Sequence, residues 1–407
     1  MERLFESENL VIKVRAQSDK SRWVVTFDNY GIGHGFERLG FGEAFFADNG
    51  VSALHVMGRR EDWYQYPEIK QALAAVREFT KGASRVMTYG SSMGGYAAVR
   101  FAGPCAAHIA LALSPQYSID PRRAPFEKRW LSDSRRIEFL REIDGPITSE
   151  TRTIIAYDPR TDDRRHVELI KGDIDIEEIP APFTGHPVTT FLSEIGLLKS
   201  MVISSLEGTV DAKECRKLIR TSRSNSSIYY ASLAEFSKDR NEERAKSLAE
   251  HAVSLKPDSP LALLSLTRVL FAGGDVSGAI RASERMVELA GRDYHYLVPL
   301  ADYLSAEGRH EEALLIAREV LELGDNQKSP HLNAWLGFIA SSAGEDEESR
   351  HALERAIQLD PSNKKYVQAF RRIHTPATSS FYNRLKMFLR QKRALGRLRT
   401  PASSRQS

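Results

Sequence analysis

Residues 85–102 read RVMTYGSSMGGYAAVRFA, and this stretch decides how the first half of the chain folds. The apolar run RVMTYG predicts a strand, and the small residues after the turn predict a helix that packs closely against a sheet. Between them, Gly90-Ser91-Ser92-Met93-Gly94 fits the pattern G-x-S-x-G. In this pattern a tight strand-to-helix turn strains the serine, and glycines avoid clashes with neighbouring backbone. The turn predicts that the Ser92 hydroxyl points to solvent above the strand ends, where it can act as a nucleophile.

Short β-branched runs alternate with helical stretches through about the first 200 residues. Besides RVMTYG, strands are predicted at 10–16, 23–28, 51–57, 108–114, 151–158 and 176–183. Helices are predicted at 43–49, 67–81 and 94–101. Several of the strands are apolar almost throughout, as expected when both faces of a parallel sheet are buried. The pattern predicts an α/β fold with a mostly parallel, seven-stranded sheet.

The second half of the chain repeats a helical pattern from about residue 227 to residue 372. Four markers each follow a leucine by two residues and lie 34, 34 and 36 residues apart: Pro257, Gly291, Asp325 and Pro361. Small residues stand twelve positions before the markers, at Ala245, Ala279, Ala313 and Ser349. A period near 34 with small residues where two helices cross resembles the tetratricopeptide repeat.

The fourth repeat carries the clearest resemblance, with Leu336-Gly337 in its first helix and Ala356 in its second. Leu359-Asp360-Pro361 then ends the repeat, whereas the second and third repeats lack the terminal proline and the first-helix glycine. The resemblance implies an all-α solenoid of stacked helix pairs. Because the concave surface of such a solenoid usually binds protein or peptide, we expect a partner of that kind.

Charge and composition exclude several classes of protein. The chain has 407 residues and a net charge of +3, but residues 375–407 hold basic residues and no acidic ones, so the remainder is mildly acidic. We therefore expect no nucleic-acid partner, because a phosphate footprint needs a basic patch on the folded domain. Two cysteines exclude a disulfide framework and a zinc spacing. Without a signal sequence or a run of about 20 apolar residues, a cytoplasmic protein is expected.

The composition shifts divide the chain into segments of different character. They are an α/β domain at 1–205, a linker at 206–226, helical repeats at 227–373 and a basic tail at 374–407. The segment 116–150 lies between two predicted strands and is expected to be a lid-like insertion. The tail is either an amphipathic helix with weak contact to an anionic membrane or an acidic partner, or a capping helix with a disordered end.

A serine nucleophile needs a base, and the base needs an acid that orients it. On the fold that carries this serine turn, the acid follows the next-to-last strand and the histidine follows the last one. His186 follows the last predicted strand, in Thr184-Gly185-His186-Pro187, and is the expected base. His166 lies inside a predicted helix and is expected at the surface.

Three aspartates follow the next-to-last predicted strand: Asp158, Asp162 and Asp163. We favour Asp162 as the acid, because a loop carboxylate two to four residues past the strand end can reach back to the histidine. Asp163 and Asp158 remain alternatives, with Asp158 better suited to capping the strand or turn beside Pro159.

The oxyanion of an acyl-transfer reaction needs two donors. The Met93 N–H follows the serine directly, and the loop after strand 23–28 offers the N–H of Asn29 or Tyr30 as the second donor. Together these features make residues 1–200 resemble an α/β-hydrolase domain. The resemblance implies a Ser–His–Asp mechanism with no metal or organic cofactor.

The leading hypothesis is an esterase or thioesterase that acts on small acyl esters, docked to a protein through its repeats. The same residues suit acyl transfer to a sugar or alcohol if water is excluded. A catalytically inactive hydrolase-fold scaffold is the non-enzyme alternative.

Overall fold

A computed structural model describes residues 2–374 of the chain. They fall into two compact units, of which the first ends at Leu233 and the second begins at Ala234. The predicted linker, 206–226, is not extended, because most of it forms a helix at Ala212–Ser222. Cys215 and Ile219 of that helix are buried in the core of the first unit, so this segment belongs to that unit.

A sheet of eight strands forms the centre of the first unit within the described residues. The strands are β1 (Glu2–Glu6), β2 (Leu10–Arg15), β3 (Arg22–Phe27), β4 (Ser52–Gly58), β5 (Arg85–Ser91), β6 (Ile109–Leu113), β7 (Arg152–Tyr157) and β8 (Glu177–Pro180). Their order across the sheet is β1-β2-β4-β3-β5-β6-β7-β8. Pairs β1–β2 and β2–β4 are antiparallel and the other five are parallel, so the sheet is mixed.

The sequence analysis predicted seven of these strands and missed β1. The segment Glu2–Glu6 reads ERLFE, and its charged, mostly exposed side chains hide the strand signal. Within residues 2–374 it pairs with one neighbour, β2, at the edge of the sheet. Charged residues are common on edge strands because they discourage pairing with another chain.

In the part of the first unit that the structure describes, nine helices accompany the sheet. They are α1 (Glu43–Asp48), α2 (Ile69–Phe79), α3 (Met93–Arg100), α4 (Leu131–Arg136), α5 (Arg141–Asp144), α6 (Asp163–Asp173), α7 (Thr189–Glu194), α8 (Leu197–Glu207) and α9 (Ala212–Ser222). Strand β3 shows how the sheet is covered on both faces. Trp23, Val25 and Phe27 lie in one hydrophobic cluster, whereas Val24 lies in another. This alternation is the two-residue period of a strand between two cores.

The parallel part of the sheet brings four loops to one edge. Strands β3, β5, β7 and β8 run in the same direction, so their carboxyl ends lie together. Asn29 follows β3, Ser92 follows β5, Asp163 follows β7 and His186 follows β8. The topology therefore gathers residues that are far apart in sequence at the sheet edge where ligands bind in open α/β sheets.

The insertion 116–150 is built into the first unit. Helices α4 and α5 lie within it. Ile119, Trp130 and Ile143 are buried in the same cluster as Phe27 and the α3 alanines. The interior side of this predicted lid-like insertion is therefore part of the core of the first unit.

Helix pairs make up the second unit. The helices are α10 (Ser227–Ser237), which contains the boundary, α11 (Glu242–Leu255), α12 (Pro260–Gly273), α13 (Val276–Ala290), α14 (Tyr294–Glu307), α15 (His310–Glu322), α16 (Pro330–Ser342), α17 (Asp346–Leu359) and α18 (Lys364–His374). The small residues at the repeat positions Ala245, Ala279, Ala313 and Ser349 are completely buried. They allow helices to pack closely, as the sequence analysis predicted.

The α16–α17 pair shows why a small residue is needed at the crossing. A Cβ on Gly337 of α16 would lie 2.7 Å from the Leu353 side chain of α17. Ser349 of α17 donates a 2.8 Å hydrogen bond to the Gly337 carbonyl. The predicted basic tail, 374–407, lies outside the described residues apart from His374, which ends α18.

Candidate active site

The turn between β5 and α3 has the strained geometry that the G-x-S-x-G pattern requires. Ser92 adopts φ 53° and ψ −115°, a conformation that residues with a Cβ rarely occupy. A Cβ on Gly90 would lie 2.2 Å from the Gly94 carbonyl oxygen, and one on Gly94 would lie 2.3 Å from the Phe27 carbonyl oxygen. Both glycines are thus required by close backbone contacts, as the sequence analysis predicted.

Ser92 and His186 meet at the sheet edge. Ser92 Oγ lies 2.8 Å from His186 Nε2, although the two residues are 94 positions apart in the chain. Ser92 is only 6% exposed, so its hydroxyl does not project freely into solvent as the turn alone had predicted. The site is enclosed by neighbouring loops.

The acid that contacts His186 is Asp163, and the prediction of Asp162 was wrong in this respect. His186 Nδ1 lies 2.8 Å from Asp163 Oδ2 and 3.0 Å from Oδ1, and Asp163 is completely buried. Asp162 is the N-cap residue of α6, is exposed and lies 3.8 Å from Arg165. Successive helical residues point about 100° apart, so only one of two adjacent aspartates can face the histidine.

Asp158, the second alternative acid, holds the histidine loop instead. Its Oδ2 accepts hydrogen bonds of 2.8 Å from the backbone N–H groups of Thr184 and Gly185. Its Oδ1 accepts one of 2.8 Å from the N–H of Arg160. These bonds join the end of β7 to the residues directly before His186, so Asp158 helps to position the loop that carries His186.

An ionic network with buried carboxylates continues beyond Asp163. Arg129, from the insertion, donates a 2.9 Å hydrogen bond to Asp163 Oδ1 and binds Glu127 through two nitrogens. Glu127 also lies 2.9 Å from Nε2 of His166. His166 is completely buried, which corrects the expectation of a surface residue.

Hydrogen bonds settle the charges in this network. Burial opposes ionisation of the carboxyl groups of Glu127 and Asp163, but their hydrogen-bond partners outweigh the effect of burial. Hydrogen bonds from His166 and Arg129 lower the pKa of Glu127 to about 2. In the same way His186 and Arg129 lower the pKa of Asp163. Burial lowers the pKa of His166, whose Nδ1 accepts from the Tyr117 N–H, so this ring is neutral. Two carboxylates thus flank one guanidinium.

The ionised Asp163 determines the tautomer of His186. A carboxylate can only accept hydrogen bonds, so His186 Nδ1 carries the proton. In the neutral form of the ring Nε2 is then unprotonated and accepts a hydrogen bond from the Ser92 hydroxyl. This is the orientation in which a histidine can act as a general base toward a serine.

Gln116 is a contact of Ser92 that the sequence analysis did not identify. Its Nε2 donates a 3.1 Å hydrogen bond to Ser92 Oγ. Its Oε1 accepts a 3.3 Å hydrogen bond from the indole N–H of Trp63. Gln116 lies three residues after β6, in no recognised motif, so the only available signal was its place beyond a strand end.

The predicted oxyanion donors lie at the same edge. Met93 begins α3, and the first N–H groups of a helix have no acceptor within the helix. The close approach of the Phe27 carbonyl to Gly94 brings the loop of Asn29 beside the start of α3. Asn29 Nδ2 donates a 3.0 Å hydrogen bond to the Tyr30 carbonyl, which shapes this loop.

A cluster of aromatic side chains lies against His186. The ring of Trp130 lies 5.4 Å from that of His186 and 5.6 Å from that of Trp63. Tyr30, which is partly exposed, lies 5.7 Å from Trp63.

Among residues 2–374, no group of three or more His, Cys, Asp or Glu side chains is arranged to hold a metal ion. No helix in that range is long and apolar enough to cross a membrane.

Comparison with known proteins concerns the helical part of the chain. A tetratricopeptide repeat family model matches residues 330–363, which span α16 and α17, the repeat that carried the resemblance in sequence. No curated protein sequence matches the chain significantly. Helix pairs with a matched repeat show that the second unit contains tetratricopeptide-like repeats.

Solved structures of repeat proteins are distantly similar. The 41-to-end fragment of MamA from Desulfovibrio magneticus RS-1 is 18% identical, covering 36% of this chain and 82% of its own, with a TM-score of 0.33. TTC0263, a thermophilic TPR protein of Thermus thermophilus, is 15% identical, covering 44% and 98%, with a TM-score of 0.33. YrrB, a TPR protein, is 18% identical, covering 45% and 90%, with a TM-score of 0.33.

Proposed function

We propose that the first unit is a serine hydrolase of the α/β-hydrolase type, which cleaves an acyl ester or thioester through an acyl-enzyme. The observation that carries this proposal is the continuous line of hydrogen bonds from Ser92 through His186 to Asp163. The strand positions support the proposal as well. The proposed nucleophile follows β5, the acid follows the next-to-last strand, β7, and the base follows the last strand, β8.

In the proposed reaction, Ser92 Oγ attacks the acyl carbon while its proton passes to His186 Nε2. The carbonyl electrons move to the oxygen, which the N–H of Met93 and of Asn29 or Tyr30 would stabilise. When the intermediate collapses, the leaving group takes the proton from His186, and water later releases the acyl group by the same steps in reverse order.

The charges around His186 favour its role as the base. Glu127, Arg129 and Asp163 together carry one net negative charge before the reaction. Protonation of His186 brings the total to zero, so the network favours the positive charge that the reaction places on the His186 ring. An imidazolium beside Asp163 is stabilised by the ionised carboxylate.

Labelling with a fluorophosphonate tests the proposal, because this probe reacts with activated serines. Wild-type protein should be labelled, and Ser92→Ala and His186→Ala should not. Ser91→Ala is the matched control, since Ser91 Oγ lies 2.8 Å from Thr189 Oγ1 rather than against the histidine. If folded wild-type protein is not labelled, the hydrolase proposal fails and an inactive scaffold becomes the better explanation.

Acyl transfer to a sugar or alcohol is the second candidate, and the enclosure of the site favours it. Ser92 is 6% exposed and Trp130, against His186, is 9% exposed, which limits the access of bulk water. Incubation with an activated ester and candidate acceptors separates the two reactions. Free acid as the sole product would exclude transfer to those acceptors, and an acylated acceptor would support transfer.

For the helical repeats we propose a protein-docking role. The support is the matched repeat at 330–363 and the general use of such solenoids in binding proteins. Affinity purification of full-length wild type and Ser92→Ala tests whether docking is independent of the serine. Both proteins should retain the same partners, whereas partners lost with Ser92→Ala would contradict separate roles.

A further inference from the structure

Gln116 stands out among the buried polar groups because it touches the reacting atom of the candidate site from outside the triad. We propose that the Gln116 carboxamide is a catalytic hydrogen-bond donor to Ser92 Oγ, which stabilises the charge on that oxygen as it attacks. This inference rests on the proposed serine hydrolase function.

The orientation of the carboxamide follows from its two neighbours. The indole N–H of Trp63 is only a donor, so the atom that faces it, 3.3 Å away, must be the Gln116 oxygen. The Gln116 nitrogen therefore faces Ser92 Oγ, at 3.1 Å. Trp63 is completely buried and Gln116 is nearly so, so this orientation is held by the interior of the protein.

The geometry around Ser92 Oγ leaves one position open for attack. The hydroxyl donates a hydrogen bond to His186 and accepts one from Gln116. A hydroxyl oxygen has two lone pairs, so one remains for bond formation with the acyl carbon. The donor and the base together hold the oxygen in a single orientation.

The donor matters most while the charge on Oγ is changing. During attack the proton leaves for His186 Nε2 before the new bond to the acyl carbon is complete, so negative charge develops on Oγ. When water releases the acyl group, the bond between Oγ and that carbon breaks and the charge develops on Oγ again until the proton returns from His186. A hydrogen bond to a charged oxygen is stronger than one to a neutral hydroxyl, so the Gln116 N–H favours both transition states.

The test compares two buried glutamines that flank the same tryptophan. Gln116→Met removes the donor to Ser92, whereas Gln65→Met removes a side chain that binds the Trp63 carbonyl at 3.1 Å and Tyr96 at 2.8 Å. The measurement is the second-order rate of fluorophosphonate labelling, with the unfolding midpoint of each variant. We expect Gln116→Met to lower the rate at least about tenfold and Gln65→Met to leave it within about twofold.

Gln116→Glu provides a second variant if Gln116→Met does not fold. The carboxylate keeps the length of the side chain and an acceptor for Trp63, but it has no N–H for Ser92. Its labelling rate should fall at least as far as that of Gln116→Met. Wild-type rates in either folded Gln116 variant, or an equal loss in Gln65→Met, would overturn the inference while leaving the hydrolase proposal intact. Absence of labelling in folded wild-type protein would overturn both.

Discussion

Arg129 donates a 2.9 Å hydrogen bond to the same carboxylate of Asp163 that binds the ring of His186. The arginine comes from the insertion and the aspartate from the first turn of α6. Asp163 is completely buried, and a buried carboxylate needs a compensating charge or hydrogen bonds to remain ionised. Together with the hydrogen bond from His186, the positive charge that the insertion supplies keeps Asp163 ionised.

Replacement of the acid distinguishes the two adjacent aspartates. Asp163→Asn should lower the fluorophosphonate labelling rate by about 1,000- to 10,000-fold, because the wrong tautomer of His186 then faces Ser92. Asp162→Asn is the control and should label at nearly the wild-type rate, since Asp162 is exposed and pairs with Arg165 at 3.8 Å rather than with His186. Equal rates for the two variants would show that Asp163 does not orient the base.

Removal of Asp158 tests its role as a positioning residue. In Asp158→Ala the N–H groups of Thr184 and Gly185 lose their shared acceptor, and the loop before His186 loosens. We expect the labelling rate to fall about tenfold and the free energy of unfolding to fall by about 2 kcal/mol. A stability loss without any change in labelling would contradict a positioning role.

Arg129 pairs with two buried carboxylates, so it contributes more to stability than an arginine in an exposed ion pair does. Arg129→Met leaves Glu127 and Asp163 buried without their shared cation, and we expect the free energy of unfolding to fall by about 3 kcal/mol or more. Arg164→Met is the control, because the Arg164–Glu168 pair is well exposed. It should change stability by less than about 1 kcal/mol. Chemical denaturation of both variants measures the difference.

Acid should destabilise the first unit through Glu127 and Asp163. Both have lowered pKa values in the folded protein, to about 2 for Glu127 against its ordinary 4.5. As the pH falls, the unfolded chain binds protons first, so the contribution is complete above the unfolded pKa and is lost as the pH approaches 2. The free energy of unfolding should therefore fall with decreasing pH below about 5. Glu127→Gln should show a shallower fall, and an identical pH dependence would refute this origin.

Replacement of Gly94 and of Gly172 by alanine compares a glycine that steric contacts require with one that they do not. Gly94→Ala places a Cβ against the Phe27 carbonyl, so we expect little folded protein or a loss above about 4 kcal/mol. Gly172→Ala lies in α6 with no atom within 4 Å of the added Cβ. It should raise stability by about 0.5–1 kcal/mol, because alanine favours a helix. Thermal unfolding of the two proteins provides the test.

The candidate site was partly predictable from sequence, and the reasons differ between residues. The positions of Ser92 and His186 follow from local patterns. Ser92 lies in a turn between a strand and a helix, and His186 lies in the loop after the last strand. The choice between Asp162 and Asp163 depends on where α6 begins, and a shift of one residue turns a side chain by about 100°. Sequence patterns locate a helix start only to within one or two residues.

Buried polar partners were not predictable at all, since nothing local marks them. His166 looks like a surface residue on a polar helix, yet it is buried because Glu127 reaches it from 39 positions away. Similarly, α9 lies in the segment 206–226 that was predicted as a linker, although Cys215 and Ile219, four residues apart, lie on one buried side. Long-range contacts of this kind depend on tertiary structure rather than on local propensity.

The origin of Arg129 in the insertion limits how this protein can be modified. A chimera in which 116–150 is exchanged for a segment of another protein would also remove the counter-ion of Asp163. Such a graft must carry an arginine and its glutamate in the same place, or Asp163 will be left buried without its counter-ion. If the proposed hydrolase is to be redesigned, single side chains such as that of Tyr30, which is partly exposed and lies against Trp63, are therefore the better targets.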